Sequence, residues 1–177
     1  MSISRPVKII GVAIILVVGL LVFSVGPSLF NSFTETHTAF EMKGDSMLPN
    51  YKDGQFWITE NYSSGKLVSR GDVMVYKDPQ TNNKEFMKRI IGISGDSILL
   101  QNGDVYINGQ KLDEPYVNGT RTDAGEFIKE GEALTVPDRN YLLLGDNRPY
   151  SFDSRIHGFV PEENLISKVT TCYKNCD

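Results

Sequence analysis

Residues 85–112 read EFMKRIIGISGDSILLQNGDVYINGQKL. Two turn signals divide the stretch. Asn102-Gly103-Asp104 and Asn108-Gly109 both contain Asn-Gly, the pair that best tolerates positive φ at both centres of a two-residue hairpin turn. The first signal predicts a hairpin of Ser97–Gln101 with Val105–Ile107. The second returns the chain into Gln110-Lys111-Leu112. Upstream, Glu85–Ile93 (EFMKRIIGI) reads as a further strand. Period two then places Phe86, Lys88 and Ile90 on one face, and Met87, Arg89 and Ile91 on the other.

The flanking sequence repeats the pattern. Gln55–Thr59 (QFWIT) follows the turn Asp53-Gly54, and Asp72–Tyr76 (DVMVY), Tyr141–Leu144 and Ile166–Tyr173 are further strands. Residues 113–138 are polar, charged and Gly-containing, and read as an excursion made of loops. There is no long helical period, internal repeat or low-complexity tract. Short strands with frequent turns predict a mainly β domain: a coiled antiparallel sheet or barrel-like structure.

The N-terminus differs in kind. No charged residue occurs from Ile9 to Thr34, and residues 9–23 (IIGVAIILVVGLLVF) are almost wholly apolar. A helix from Lys8 to Phe30 would span roughly 34 Å at about 1.5 Å per residue, enough for a hydrocarbon core. Arg5 and Lys8 precede the run, so the positive-inside rule places the N-terminus in the cytoplasm. The expected organisation is a cytoplasmic tail at 1–8, a single transmembrane anchor at 9–30, and an extracytoplasmic domain at 31–177, whose residues 31–41 form a connector. Two other readings are a cleaved secretory signal and a buried core helix. The run is longer than a signal's apolar region, and Pro27 follows the small-x-small triplet Ser24-Val25-Gly26. A domain this small has little room to surround such a helix.

Composition narrows the partners. The chain has 177 residues, room for one compact domain, with 16 Gly and 8 Pro. Residues 35–177 carry 16 basic against 22 acidic groups without a Lys/Arg cluster, which argues against nucleic acid. Two histidines leave few metal ligands, and no cofactor is expected. Cys172 and Cys176 form no disulfide framework. They are open to a local bridge, to free thiols or to no role, and none of these is catalytic.

Three segments carry reactive side chains. In Gly44-Asp45-Ser46-Met47-Leu48-Pro49 a serine sits in a turn. As a nucleophile it needs an adjacent base, and otherwise it is a turn former. His37 and His157 lie in surroundings that do not single them out as that base. Lys88 is flanked on its strand face by Phe86 and Ile90. Desolvation that lowers its pKa from about 10.4 toward 8, roughly 3 kcal/mol, would make it a base. Otherwise its stem packs on the sheet and its amine reaches water. Arg89 cannot deprotonate. Third, residues 145–155 (GDNRPYSFDSR) crowd two Asp, two Arg, two Ser and an Asn behind an apolar strand. Such a loop can orient a lysine by charge-assisted hydrogen bonds.

Taken in order behind an apolar N-terminus, GDSMLP, RGDVMVY (70–76), KRIIGISGD (88–96) and GDNRPYSFDSR resemble the boxes of bacterial type I signal peptidases, membrane-anchored Ser/Lys proteases. The likeness spans roughly residues 1–171. It implies Ser46 as nucleophile, Lys88 as general base, and Ser151 as the hydroxyl that orients the lysine. It also implies Asp146–Arg89 and Asp153–Arg155 as supporting ion pairs, and Gly44, Asp45 and Met47 around the oxyanion and substrate pocket. Some members carry a serine hydroxyl where Gly44 stands. With glycine, as in short Gram-positive members, the oxyanion relies on backbone N–H groups, that of Ser46 and one neighbour. Asn50 replaces the usual Thr and Ser94 the usual Pro, neither with a required side-chain role. The implied substrates are signal peptides of exported preproteins, held as an added β-strand and cut after small residues. Membrane lipid is the other partner, with no nucleic acid and no obligate protein partner. The competing classes are a soluble, repressor-cleaving Ser/Lys autoprotease and an anchored β-domain without activity. The apolar N-terminus and the acidic balance disfavour the first.

Overall fold

The computed structural model describes residues 36–117 and 121–176. The stretch 85–112 supplies strands β4 (Lys84–Gly92), β5 (Ser97–Gln101), β6 (Asp104–Ile107) and β7 (Gln110–Lys111). Both Asn-Gly turns have positive φ at both residues: +56° and +85° at Asn102-Gly103, +53° and +80° at Asn108-Gly109. The other strands are β1 (His37–Glu41), β2 (Phe56–Asn61), β3 (Val73–Asp78), β8 (Leu134–Thr135), β9 (Asn140–Leu144), β10 (Val160–Pro161) and β11 (Leu165–Lys174). One helical turn, α1 (Ser154–His157), starts at Asp153, whose carboxylate accepts the Arg155 N–H as an N-cap. The tail and anchor expected over 1–30 lie outside the described residues. Among the described residues no helix is long and apolar enough to cross a membrane.

The strands form two open sheets, in the orders β1-β2-β11-β3-β4-β9-β10 and β7-β6-β5-β8. The mainly β, antiparallel expectation therefore holds, whereas the barrel-like closure does not. The sheets meet through side chains instead of a closed hydrogen-bond ladder. Ile91 of β4 and Leu142 and Leu144 of β9 share a core with Ile98, Leu100, Val105 and Ile107 of the small sheet. Gly92 lies where they meet, and a Cβ there would come within 2.7 Å of Ile98 Cδ1 and 3.1 Å of Leu142 Cβ. A β-bulge between Ile90 and Gly92 shifts the register against β9, which bends the strand away from simple continuation.

Three short strands escape the sequence reading. β1 lies in what reads as a connector, and β8 and β10 have two residues each. Two-residue segments form no repeating pattern, and β1 (HTAFE) has two adjacent apolar residues instead of an alternating face, so only their partners make them strands. The excursion 113–138 is loop-like apart from β8, yet Ile128 and Val136 are fully buried in the core. At the far end of β11, Cys172 and Cys176 form a disulfide, which settles the alternatives left open for them.

β4 is the spine of the site. From Met87 onward it is buried on both faces except at Arg89. Met87 packs with Met42, Met47, Val73 and Val75. On the opposite face, Phe86 and Ile90 belong to the cluster of Met74, Tyr76 and Leu143. Lys88 lies on that second face, opposite Met74 in β3.

Candidate active site

The turn after β1 carries Ser46, and its Oγ lies 2.7 Å from Lys88 Nζ. The turn is held locally. Leu48 N–H donates to Asp45 C=O at 3.2 Å and Tyr51 N–H to Met47 C=O at 3.0 Å. The Leu48–Pro49 peptide is cis. Met47 is fully buried in the core, so the turn is pinned from beneath.

Lys88 is 2 % exposed. Burial pushes its amine down to about 8, against the opposing pull of the Asp153 and Asp146 carboxylates. Its Nζ donates to the Met87 carbonyl at 3.1 Å and lies 5.6 Å from the centre of the Phe86 ring. When protonated, the amine donates to Ser46 Oγ. When neutral, its lone pair can accept the hydroxyl proton.

The loop following β9 wraps this pair. Asp146 receives Arg89 in a bidentate bridge, Nε to Oδ1 at 2.8 Å and Nη2 to Oδ2 at 2.6 Å. Asp153 receives Arg155 in the same manner, at 2.8 and 2.9 Å. Asp153 Oδ2 also accepts the Gly145 N–H at 3.1 Å. Both pairings implied by the family resemblance are thus present, with all four side chains buried or nearly so.

Other residues behave differently from expectation. Ser151 is buried, but its Oγ has no hydrogen-bond partner and makes no bond to Lys88. It faces Gly145, where an added Cβ would collide with it and with the Ser46 carbonyl. Met47 lies in the core instead of lining the cleft; Met42 and Met87 line it. Gly44 has φ +76°, a conformation that favours glycine, and its N–H is engaged by Asp53 Oδ1 at 2.6 Å. It is therefore not free to serve an oxyanion. Asp45 acts through its carbonyl, which accepts from Asn147 Nδ2 at 2.9 Å. Asn50 is more than a tolerated substitution: its Nδ2 donates to Asp146 Oδ2 at 2.9 Å and to the Tyr116 carbonyl at 2.7 Å. Ser94 bonds Asp138 at the surface. His157 pairs with the Tyr76 hydroxyl at 3.2 Å, and His37 lies on β1.

Sequence reasoning missed Asn147, whose N–H donates to the Ser46 carbonyl at 3.1 Å. It also missed Arg148, Glu114, Thr122 and Tyr116. Arg148 belongs to the recognisably ionic loop, but its partners come from the excursion, and nothing in their local sequence marks them.

A cleft of about 420 Å³ opens over the pair, lined by residues 39–43 on one side and 84–88 on the other. β9 pairs with β4 only from Arg89 onward, so the preceding residues of β4 keep an edge open beside the cleft. Among the described residues no three His, Cys, Asp or Glu side chains gather as a metal site.

A family model described as "Signal peptidase, peptidase S26" matches residues 4–174. Signal peptidase IB of Staphylococcus aureus is 34 % identical over 147 residues, covering 75 % of each chain. Signal peptidase I V of Bacillus subtilis is 30 % identical over 140 residues, covering 74 % of this chain and 82 % of the relative. A crystal structure of a signal peptidase I from Enterococcus faecalis aligns with TM-score 0.51 and 31 % identity. That alignment covers 59 % of this chain and 98 % of the other.

Proposed function

The chain belongs to the S26 signal peptidases, of the bacterial type I kind, and is a serine endopeptidase; from that premise we propose that it removes signal peptides from exported preproteins with Ser46 as nucleophile and Lys88 as general base. The observation that carries this reading is the 2.7 Å contact between Ser46 Oγ and the buried, pKa-lowered amine of Lys88.

The geometry supports the following chemistry. Neutral Lys88 takes the Ser46 proton as Oγ attacks the scissile carbonyl. The developing oxyanion lies over the turn and is stabilised by backbone N–H groups, that of Ser46 first. Protonated Lys88 then gives its proton to the leaving amine, and water activated by the same amine releases the acyl group. Asp146–Arg89 and Asp153–Arg155 support the loop that packs against the dyad.

Substrate adds as an extended strand in the cleft, using the open edge of β4 for main-chain hydrogen bonds. Side chains then alternate between the cleft floor and solvent, which accounts for a demand for small residues at the first and third positions before the cut. A transmembrane anchor over 9–30, with its N-terminus in the cytoplasm, keeps residues 31–177 at the outer bilayer surface, where lipid is the neighbour and signal-peptide ends emerge. No cofactor and no obligate protein partner are required. The full chain in detergent, incubated with a preprotein, should release the mature protein, and Ser46→Ala should not. Processing by Ser46→Ala would overturn the assignment.

A further inference from the structure

We propose that Glu114 and Arg148 are positioning residues for the nucleophile: the excursion holds the Ser46 turn in place through a buried guanidinium. The inference rests on Ser46 being the nucleophile.

Arg148 is the largest fully buried side chain among the described residues, at 1 % exposure. Its guanidinium serves three partners at once. Nε donates to the Gly145 carbonyl at 3.0 Å, Nη1 and Nη2 clasp the Glu114 carboxylate, and Nη1 also bonds the Thr122 hydroxyl. A buried cation with a planar fork fixes the groups around it, because each donor left unmatched is costly.

What it fixes lies beside the nucleophile. Gly145 is held at both backbone groups, its C=O by Arg148 and its N–H by Asp153. Its missing side chain lets the Ser46 carbonyl approach. Two residues on, Asn147 donates its N–H to Ser46 C=O and its Nδ2 to Asp45 C=O. Arg148 thus sets a loop that is directly bonded to the residue bearing Oγ.

A second arm reaches the other end of the same turn. The Tyr116 hydroxyl donates to Glu114 Oε1 at 2.9 Å, and its ring lies 4.2 Å from the Arg89 guanidinium carbon. Its carbonyl accepts from Asn50. The segment 114–116 therefore ties down both Asp45-Ser46 and Asn50. Oγ must stay aligned with both the lysine and the scissile carbonyl, so a displacement of under an ångström is enough to slow the chemistry.

The test uses the full chain in detergent with a preprotein, with rates normalised to the folded fraction from the thermal transition. Glu114→Gln should lower kcat per folded molecule about ten- to hundredfold and leave KM within about twofold. The acid limb of kcat/KM should stay at its wild-type position, because the surroundings of Lys88 are unchanged. Acylation by a serine-directed fluorophosphonate should slow in parallel. Thr122→Val, which removes one acceptor at nearly constant volume, should cost about two- to tenfold, and it reads the same quantity if Glu114→Gln fails to fold. A lowered Tm with wild-type kcat per folded molecule would reduce the cluster to packing and overturn the proposal. Cleavage by Ser46→Ala would instead overturn the premise, which the Ser46→Ala control reads separately.

Discussion

Two groups of charge in this protein use the same residue types in different surroundings. Around Gly145, the side chains of Asp146, Arg148, Asp153 and Arg155 are buried. Around Glu162, four donors converge on one carboxylate: Tyr62 OH at 2.9 Å, Ser64 Oγ at 3.0 Å, Gly65 N–H at 3.0 Å and Arg139 Nε at 2.9 Å. There the Arg139 side chain is 66 % exposed, whereas the Arg148 side chain in its own Arg–Glu pair is fully buried. A titration is shifted at each place, by different means. Desolvation lowers Lys88 to about 8 by disfavouring its charged form. Hydrogen bonds, led by that of the Gly65 N–H, pull Glu162 down to about 2 by favouring its charged form. The buried group lies beside the proposed Ser46–Lys88 dyad, and the surface group staples the loop after β2 to the chain after β10. Burial, more than the number of ionic contacts, decides which group governs chemistry.

The largest effect should come from removing the proposed Ser46–Lys88 dyad. Lys88→Arg keeps a cation but cannot accept a proton, so it should be as inactive as Ser46→Ala, with a loss on the order of 10⁴-fold or more in kcat/KM. Cleavage by folded Lys88→Arg would mean that burial had not produced a base. Wild-type kcat/KM should rise about tenfold per pH unit on its acid side and level off near the Lys88 pKa of about 8.

Stability separates the groups next. Asp153→Ala strands the buried Arg155 guanidinium and should cost about 3–5 kcal/mol in chemical denaturation. Lys88→Met should act the other way. The amine binds its proton more weakly folded, at about 8, than unfolded, at 10.5. Below pH 8 the folded state therefore carries a penalised ammonium, and native stability recovers as pH rises from 8 to 10.5. Met has similar volume and no charge, so the inactive variant should be more stable at pH 7 by about 3 kcal/mol. An unchanged or lower Tm would show that the buried amine bears no penalty.

Ser151→Ala sharpens the picture within the buried group. No hydrogen bond is lost with its hydroxyl in this structure, so Tm should hold. A fall of about 5- to 150-fold in kcat/KM would show that the hydroxyl turns to the amine during the reaction. A wild-type rate would remove Ser151 from the lysine's support.

The smallest effect belongs to the surface. Glu162 has a depressed folded pKa, so its contribution to stability is present above its unfolded value of 4.5 and is lost as pH falls toward 2. Glu162→Gln should flatten the acid side of the stability–pH curve and leave kcat unchanged. A drop in kcat would mean that the staple reaches the site.

Local signals made much of this legible in the sequence. Asn-Gly pairs at 102–103 and 108–109 demand positive φ, and alternation along 86–91 assigns faces. Together they revealed the hairpins, β4 and the face of Lys88, because turn sterics and side-chain period act over a few residues. The order of the four boxes singled out Ser46, Lys88 and both Asp–Arg pairs. Tertiary structure alone decided the rest. β1 becomes a strand only beside β2, and Met47 is core only because β3, β4 and β11 converge beneath it. Glu114 meets Arg148 across 34 positions, and Asn50 meets Asp146 across 96. Chain periodicity carries no trace of such pairs, because they form where packed elements bring distant buried donors and acceptors together, and burial makes leaving either one unmatched expensive.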